Sequence, residues 1–400
     1  MHRFLSYILL TAALTFLLVQ PRHSASADPF VPQAFFGTIT LYRFFDAPIV
    51  LFTRSSEIAF SSDRDQDNPG WRDQNREIYV MNADGTEQTR LTSNLLKDNE
   101  PSWAPDGDRI AFSSNRDNNW EIYILEDFEP VAPGFKFTTG GNQPNETRLT
   151  GPEPDGSSWH DFAPAWSPEG DTIAFTSSPG ANHEIYSIKT NKTSLENLTN
   201  ELTAADSHSS WGPLGEIVFD SDREGNFEIF RMSDGENLTE NNSLDYYPDL
   251  SKDGTKIAFT SERHGNQEIY VMDLENGEVI RVTKTENPYI DKDPSWSPDG
   301  EWIAFTSNRN GNYDIWKIKA IPYEENVEGP INLTQNAQSL IEFLPAVDQD
   351  PDWSPSETIS FVRTFFAKLT IATNPEVALL ISEDTVISGA ELEGDQALAN

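Results

Sequence analysis

Residues 293–307 read Asp-Pro-Ser-Trp-Ser-Pro-Asp-Gly-Glu-Trp-Ile-Ala-Phe-Thr-Ser, which is two short apolar segments joined by a Pro-Asp-Gly turn. Proline fixes φ at the second position of a tight turn and glycine closes it, so this stretch predicts two antiparallel strands. Its second half recurs along the chain. The pattern Ile-Ala-Phe-(Ser/Thr)-Ser, or a close variant of it, begins at Ile58, Ile110, Ile173, Ile217, Ile257 and Ile303.

Every copy of this repeat continues in the same order. After a polar turn comes Glu-Ile-Tyr or a variant, which begins at Glu77, Glu121, Glu184, Glu228, Glu268 and Asp314. A Leu-Thr or Val-Thr step follows, and the copy closes on Trp-Ser-Pro or a variant of it. Successive copies are spaced by 52, 63, 44, 40 and 46 residues. The short spacings suit one four-stranded blade of a propeller, and the long ones suit blades with loop insertions.

The composition of a copy is that of strands covered on both faces. From Glu77 to Met81 the side chains on both alternating faces are apolar, as a sheet wedged between two neighbouring sheets requires. Gly-Asn pairs at 225, 265 and 311 stand where a two-residue hairpin turn needs positive φ. Small twisted sheets stacked around an axis meet these conditions. We therefore expect an all-β protein, a six-bladed β-propeller of four-stranded antiparallel blades.

The repeat resembles that of the TolB-type β-propellers, a periplasmic family named after the translocation protein TolB. The stretch 293–307 carries the likeness, which extends over about residues 57–355. The resemblance implies blades whose innermost strand carries Trp-Ser-Pro, followed outward by Ile-Ala-Phe, Glu-Ile-Tyr and Leu-Thr. On that mapping the copy at Trp353 supplies the innermost strand of the first blade, which closes the ring.

Two departures from the family pattern limit what the resemblance implies. TolB itself has an α/β domain before its propeller, whereas about 29 residues here separate the expected cleavage site from Glu57, so we expect a relative that lacks that domain. After Pro355 the apolar segments 358–362, 369–371 and 377–381 leave a seventh blade as the alternative. The turn glycine is missing after Pro355 and no further Glu-Ile-Tyr follows, so we favour six blades.

The amino terminus has the composition of an export signal. A basic start at Arg3, an apolar run from Phe4 to Val19 and the small residues Ala25-Ser26-Ala27 predict a signal peptide over residues 1–27. We expect cleavage before Asp28, with an uncleaved anchor as the alternative.

The remaining chain divides into three parts. We assign residues 28–56 to lead-in strands, 57–355 to the propeller and 356–400 to a C-terminal extension with an acidic tail. After signal cleavage no other apolar run is long enough to span a bilayer. We therefore expect a protein of the periplasm or the cell exterior.

Charge and cysteine content exclude several classes of function. The chain has 28 Lys and Arg against 65 Asp and Glu, a formal net charge of −37. Phosphate binding needs Lys and Arg, so nucleic acid and anionic membrane surfaces are not expected partners. The absence of cysteine excludes disulfide scaffolds, zinc fingers, iron–sulfur sites and thiol catalysis. The composition fits a monomer that binds an envelope protein or a glycan.

An acidic residue recurs three positions before the proline that opens each blade. Its members are Asp98, Asp161, Asp245, Asp291 and Asp348, and Ser207 is assigned to this position in the third copy. If these side chains ring the channel mouth, they form a calcium or magnesium site, or an anionic collar for a basic partner. The alternative is that each Asp accepts hydrogen bonds from backbone N–H groups of its own loop. Whether a metal binds stays open.

An arginine recurs after each Ile-Ala-Phe strand except one. The series is Arg64, Arg116, Arg223, Arg263 and Arg309. We expect cross-strand ion pairs between these arginines and the acidic residues that open the third strands.

Insertions break the symmetry of the repeat. The segment 66–74 contains Trp71 and Arg72, a pair typical of an interface anchor, which would lie on the same face as the carboxylates. The same pair could equally cap a neighbouring blade. The segment 126–146 is long enough to be a functional loop on the other face.

The sequence favours a non-enzymatic role. Four histidines of the mature chain stand at different repeat positions, and no Gly-x-Ser-x-Gly nucleophile motif is present. The alternative is a hydrolase or lyase, resembling a lactonase, that works with a cation held in the channel. His208 is the candidate base for such an enzyme. The prediction we retain is an exported binding or scaffolding propeller of the cell envelope.

Overall fold

A computed structural model describes residues 52–53, 56–64, 75–126, 145–151, 159–180, 182–200, 203–335, 346–355 and 359–360. Every regular element among them is a β-strand. None of these residues forms a helix with the length and apolar character that crossing a bilayer requires. The predicted signal peptide, Trp71, Arg72 and the acidic tail lie outside the described residues.

The described strands number 25. Their bounds in chain order are β1 Phe52–Thr53, β2 Glu57–Ser62, β3 Glu77–Asn82, β4 Thr89–Arg90, β5 Asp98–Trp103, β6 Ile110–Ser114, β7 Glu121–Glu126, β8 Asn145–Arg148, β9 Asp161–Trp166, β10 Thr172–Ser177, β11 Glu184–Lys189, β12 Glu196–Asn197, β13 Asp206–Trp211, β14 Ile217–Ser221, β15 Glu228–Arg231, β16 Asp245–Leu250, β17 Lys256–Ser261, β18 Glu268–Asp273, β19 Val279–Arg281, β20 Asp291–Trp296, β21 Trp302–Ser307, β22 Asp314–Lys319, β23 Ile331–Asn332, β24 Asp348–Trp353 and β25 Ile359–Ser360.

Six antiparallel sheets form the blades. Blade I has the strand order β24-β2-β3-β4, blade II is β5 to β8, blade III is β9 to β12, blade V is β16 to β19 and blade VI is β20 to β23. Blade IV has three strands, β13 to β15, and a single bridge from Phe230 to Asn237 stands in place of a fourth strand. Each innermost strand contacts the innermost strands of both neighbouring blades, so the six sheets close into a ring.

The second and third strands are covered on both faces, as the sequence predicts. In β2 the residues from Ile58 to Ser62 are all buried, and in β3 so are those from Glu77 to Met81. Phe60 lies opposite Tyr79 across the two strands, with stacked rings 5.7 Å apart. Burial on both faces follows because each sheet packs between two others.

The hydrophobic core consists of layers between neighbouring blades. The layer between blades VI and I joins Ala304 and Ile315 to Ile58, Phe60 and Trp353, all buried. Such a core is distributed around the ring, so every blade depends on both of its neighbours.

The ring closes as predicted, with the chain's last innermost strand completing its first blade. Strand β24 pairs with β2, and Trp353 lies opposite Ile58. The seven-blade alternative is wrong, because Ile359–Ser360 pairs with Phe52–Thr53 in a separate two-stranded sheet. The compact unit that contains the blades spans residues 55–358.

The Leu-Thr step lies just beyond the outermost strand and links it to the third strand. In blade V the Ile269 N–H donates to Thr283 Oγ1 over 2.9 Å, and the Thr283 hydroxyl donates to Glu268 Oε2 over 2.7 Å. The same arrangement recurs at Thr92 and Thr150. The Glu-Ile-Tyr and Leu-Thr motifs are therefore one hydrogen-bonded unit of the blade.

Candidate functional site

The innermost strands surround a central cavity of about 380 Å³, which we call the channel. The third residue of every innermost strand lines it, and these residues are Glu100, Ala163, His208, Tyr247, Asp293 and Asp350. All six have a positive φ, between 46° and 55°, although none is glycine. Because the left-handed backbone occurs at all six equivalent positions, it belongs to the repeated architecture of the ring.

A β-bulge creates this backbone in each blade. The pairing between innermost and second strands shifts register around the third residue, as it does between Lys292 and Ser295. A bulge re-aims a side chain and frees the backbone N–H from its own ladder. The freed N–H donates to the preceding blade: Asp293 N to Thr260 Oγ1 over 3.2 Å and Asp350 N to Thr306 Oγ1 over 3.1 Å. The bulges therefore also link the blades.

The chemistry of the lining is asymmetric. Blades VI, I and II contribute Asp293, Asp350 and Glu100, so one half of the ring carries three carboxylates. Blades III, IV and V contribute Ala163, His208 and Tyr247, an apolar and aromatic half. A repeated framework therefore carries a lining that is not repeated.

Few basic side chains pair with the carboxylates of the acidic half. Lys292 Nζ lies 2.7 Å from Asp293 Oδ2, the one ion pair that the described residues form with this half. Burial raises the pKa of Glu100, and the charge of Asp350 raises it further. Burial also raises the pKa of Asp293, against the opposing effect of Lys292. Glu100 and Asp350, in adjacent blades, thus repel each other, and neither forms an ion pair among the described residues, although His208 lowers the pKa of Glu100 and Asp350 raises that of Lys292.

A His–Asp pair lies on the opposite half. His208 Nδ1 is 2.9 Å from Asp220 Oδ2, which also accepts the Tyr247 N–H over 3.0 Å. Burial opposes the charge on His208, but Asp220, together with the carboxylates of Glu100 and Asp293, outweighs it, so the pKa of His208 is raised. The ring of Tyr247 lies 4.2 Å from that of His208. The pair holds the imidazole in one orientation.

Two further carboxylates that line the channel hold neighbouring blades together. Asp249 Oδ2 accepts the Trp296 N–H over 2.8 Å, and Asp352 Oδ2 accepts the Trp103 N–H over 2.6 Å. Each of these bonds joins adjacent blades. Burial raises the pKa of Asp352 to about 6.

The Asp series predicted from the sequence lies in buried ion pairs. Asp98, Asp245, Asp291 and Asp348 have no exposed surface, and Asp161 is 2% exposed. The Arg116 guanidinium lies 2.8 Å from Asp98, and the Arg263 guanidinium lies 3.0 Å from Asp245. Asp161, whose blade lacks the arginine, accepts the Ser177 hydroxyl over 2.6 Å. These contacts favour a structural role, in which arginine and serine side chains, rather than backbone N–H groups, are the donors.

The predicted partners of the Arg series are wrong. Arg64, Arg223 and Arg309 pair with Asp348, Asp206 and Asp291, the residues that open the innermost strands. In three blades the acidic residue that opens the third strand pairs instead with the last residue of the outermost strand, as Glu268 does with Arg281 over 3.0 Å. The hairpin brings each arginine back over its own blade, where the innermost strand is the nearer neighbour.

The assignment of Ser207 to the acidic position is also wrong. Asp206 opens β13, lies opposite Ser221 and pairs with Arg223, so the acidic position is filled in all six blades. The proline used for counting is absent from this copy, where Ser209 stands instead. Counting five residues back from Trp211 would have found Asp206.

No metal centre is found in the part of the chain that the structure describes. No three His, Asp or Glu side chains there are grouped so that they could hold an ion. Trp71, Arg72 and most of the 126–146 insertion lie outside the described residues, so their roles stay predictions.

Sequence reasoning missed the residues of the channel except His208. The signal was present: two positions after the repeated Asp, the copies carry Glu, Ala, His, Tyr, Asp and Asp. A position that varies inside a strict repeat marks the part of each blade that the framework does not require. The β-bulge at this position has no sequence signature comparable to the glycine of a tight turn.

The amino-acid sequence is similar to those of TolB proteins. Residues 234–327 match the family model described as the TolB beta propeller domain. A Protein TolB homolog from Chlorobium luteolum is 29% identical over 43% of the chain, and a Tol-Pal system protein TolB from Francisella tularensis is 28% identical over 52%. These matches span 36% and 46% of the two relatives, less than half of each.

Solved structures agree at the level of the fold. The crystal structure of TolB from Acinetobacter baumannii superposes with a TM-score of 0.57 at 22% identity, covering 75% of this chain and 67% of that one.

Proposed function

This chain is a TolB-like β-propeller, and we propose that it is an exported, non-enzymatic binding module of the cell envelope that engages a partner over its channel. The name of the Francisella relative, Tol-Pal system protein TolB, supports an envelope role, and the predicted signal peptide supports export to the periplasm. The relatives are matched over less than half their length, so their partners are not transferred.

The asymmetry of the channel lining is the observation that carries this proposal. A position that served only the blade would repeat its chemistry, as the buried Asp–Arg pairs do. The six residues at the bulges instead divide into an acidic half and an aromatic half. A specific binding site needs such a difference between its sides, with a few polar groups placed by a rigid scaffold.

The lining selects the charge of the partner. Glu100 and Asp350 face the channel without a basic residue in contact, and their mutual repulsion falls when a cation lies between them. A lysine or arginine side chain of an envelope protein supplies that cation, and the ring of Tyr247 offers it an aromatic surface. The partner is therefore a protein that presents a basic group.

The proposed surface includes Trp71 and Arg72. Arg76, which precedes β3, lines the channel, and Trp71 and Arg72 stand shortly before it in the sequence. We assign Trp71 and Arg72 to the rim of the site, where an exposed aromatic residue anchors a partner. The Asp series holds the framework of the site through its ion pairs.

Affinity capture with a matched charge control tests the proposal. The variant Glu100→Gln/Asp350→Asn removes two negative charges from the channel, and Glu275→Gln/Glu278→Gln removes two from an exposed outer turn. We expect the first variant to lose a specific protein captured from the native envelope by about tenfold or more, because buried charge pairs dominate such contacts. Equal capture by both variants would overturn the proposal.

The His208–Asp220 pair favours one further candidate function. A histidine oriented by a carboxylate through Nδ1 has the geometry of a general base, as proposed for a channel-based hydrolase or lyase. An assay of lactone and uronate substrates with calcium or magnesium, comparing the wild type with His208→Gln, tests it. Turnover that His208→Gln abolishes supports an enzyme, and no turnover removes this candidate.

A further inference from the structure

A second cavity, of about 480 Å³, adjoins the channel between blades II and III, and we call it the side pocket. Six of its lining residues are Trp120, Phe162, His160, His183, Asn99 and Glu100. We propose that the side pocket binds a neutral pyranose ring, a sugar unit of a glycan. The proposal goes beyond the proposed function, which concerns a protein partner over the channel.

Aromatic residues of two neighbouring blades line the side pocket, and the counterpart pair between blades IV and V is Phe227 and Tyr246, with ring centroids 5.5 Å apart. Trp120 directly precedes the third strand of its blade, where the other blades carry Arg76, His183, Phe227, Gln267 and Tyr313. Phe162 lies edge-on to His183, with ring centroids 5.2 Å apart. Flat aromatic faces pack against the C–H face of a sugar ring, which is apolar while its edge is polar.

The polar groups of the pocket both donate and accept. Asn99 Oδ1 is buried and lacks a hydrogen-bond partner among the described residues. Glu100 Oε2 is held by the Ser113 hydroxyl at 2.7 Å and the Ala163 N–H at 2.8 Å, which fixes the carboxylate. His160 Nδ1 accepts the Trp120 N–H over 3.3 Å, so in its neutral form Nε2 carries a proton to donate. Hydroxyl groups, which donate and accept, match this mixture.

The charges around the side pocket favour a neutral ligand over an anionic or a cationic one. Glu100 is the carboxylate of the pocket and lies near Asp350, so an anionic sugar or a phosphate is repelled. Burial and the neighbouring His208 lower the pKa of His183, which leaves that ring neutral at neutral pH. An ammonium group would satisfy Glu100 but cannot accept a proton from His160 or from an amide. A neutral ring with several hydroxyl groups satisfies both.

Titration calorimetry with defined oligosaccharides tests the proposal. The probes are cellotetraose, maltotetraose and chitotetraose, with tetragalacturonate and tetramethylammonium chloride as the anionic and cationic alternatives. We expect at least one neutral probe to bind, Trp120→Ala to weaken it about tenfold or more, and Trp120→Phe to keep most of the affinity because it keeps an aromatic face. Phe227→Ala changes the same strand position in blade IV and is the matched control.

Each outcome decides between the ligand classes. No binding of any neutral probe up to about 10 mM, a concentration that detects even weak sites, would overturn the proposal. So would neutral-sugar affinity that Trp120→Ala leaves unchanged, or binding of tetramethylammonium or tetragalacturonate alone. Unchanged melting of Trp120→Ala shows that the variant folds. Loss of sugar binding in Trp120→Ala with normal protein capture separates this site from the proposed channel site.

Discussion

Asp220 stands where the other five blades carry serine or threonine. Those residues are Ser61, Ser113, Thr176, Thr260 and Thr306. Several of them accept the freed N–H of the next blade's bulge, and Asp220 keeps this bond through its contact with Tyr247 N. The carboxylate does more than replace the hydroxyl, because it also binds His208. One substitution in the repeat thus places a charged pair beside the channel.

The titration of His208 follows from this pair. Asp220 raises its pKa despite burial, whereas the pKa of His183 is lowered by burial and by His208. In a histidine-labelled NMR titration we expect His208 to titrate above 6.5 and His183 below it. Asp220→Ser, which restores the hydroxyl of the other blades, should lower the pKa of His208.

The sign of the linked stability follows from the raised pKa. A histidine with a higher pKa in the folded state contributes stability below its unfolded pKa of 6.5, and the contribution is lost as pH rises through the folded pKa. The wild type should therefore lose more stability than Asp220→Ser on going from pH 6 to pH 8. A His208 that titrates below 6.5 in the wild type would contradict this account.

The bulge at Ala163 has a measurable energetic cost. Its φ is 51°, a conformation that costs an L-residue about 1–2 kcal/mol and glycine nothing. Glycine also loses about 0.5–1 kcal/mol of chain entropy on folding. We expect Ala163→Gly to change stability by between zero and a gain of about 1 kcal/mol. Urea denaturation measures it.

Ala165, two positions along the same strand, is the control for this prediction. It is buried and lacks a positive φ, so Ala165→Gly should destabilise by about 1 kcal/mol. Equal losses in the two variants would mean that the bulge is not strained.

At the scale of the blade, the Asp–Arg pair joins the innermost strand to the hairpin between the second and third strands. Removing Arg263 leaves Asp245 buried without its cation. Breaking a buried pair from one side costs about 3–5 kcal/mol, and the partial exposure of Arg263 places the expected loss for Arg263→Ala near about 3 kcal/mol.

Arg231 provides the matched control for this loss. It pairs with Asp234 and Glu236, both more than half exposed, so Arg231→Ala should cost less than about 1 kcal/mol. Chemical denaturation of the two variants measures the difference. Similar losses would contradict the assignment of the Asp series to the framework.

The elements show which parts of the structure the sequence could predict. Blade number follows from the repeat and its turn residues, whereas strand order and ring closure at Trp353 are what the resemblance to TolB-type propellers implies, and the structure confirms all three. The sequence did not predict the partners of the arginines, because these depend on which strand lies nearer in space. It did not place Asp206 because this copy lacks the proline used for counting. The sequence did not predict the side pocket either, since Trp120 and Phe162 belong to different blades and line one cavity only when the blades pack together.

At the scale of the whole molecule, buried carboxyl groups set the response to pH. Burial raises the pKa of Glu77 from 4.5 to about 8 and that of Asp352 from 3.8 to about 6. An acid with a raised pKa binds more protons folded than unfolded, so stability falls as pH rises from about 4.5 to 8. Self-repulsion of a chain with net charge −37 acts in the same direction.

We therefore expect the melting temperature to be higher at pH 5 than at pH 8. The lowered pKa of His183 opposes this trend only in part. Glu77→Gln, which is neutral at every pH, should flatten the decline. Calorimetric scans across this range measure both curves. A melting temperature that rises from pH 5 to pH 8 would contradict the prediction.

The central claim is that the propeller engages an envelope protein over its channel, and site-specific photocrosslinking in the native host tests it most directly. Replacing Tyr247, which lines the channel, with benzoylphenylalanine should give a discrete crosslink to one envelope protein. Benzoylphenylalanine in place of Leu214, which is 89% exposed in the turn between β13 and β14, should give no crosslink. A crosslink at Leu214 and none at Tyr247 would place the partner away from the channel and contradict the claim.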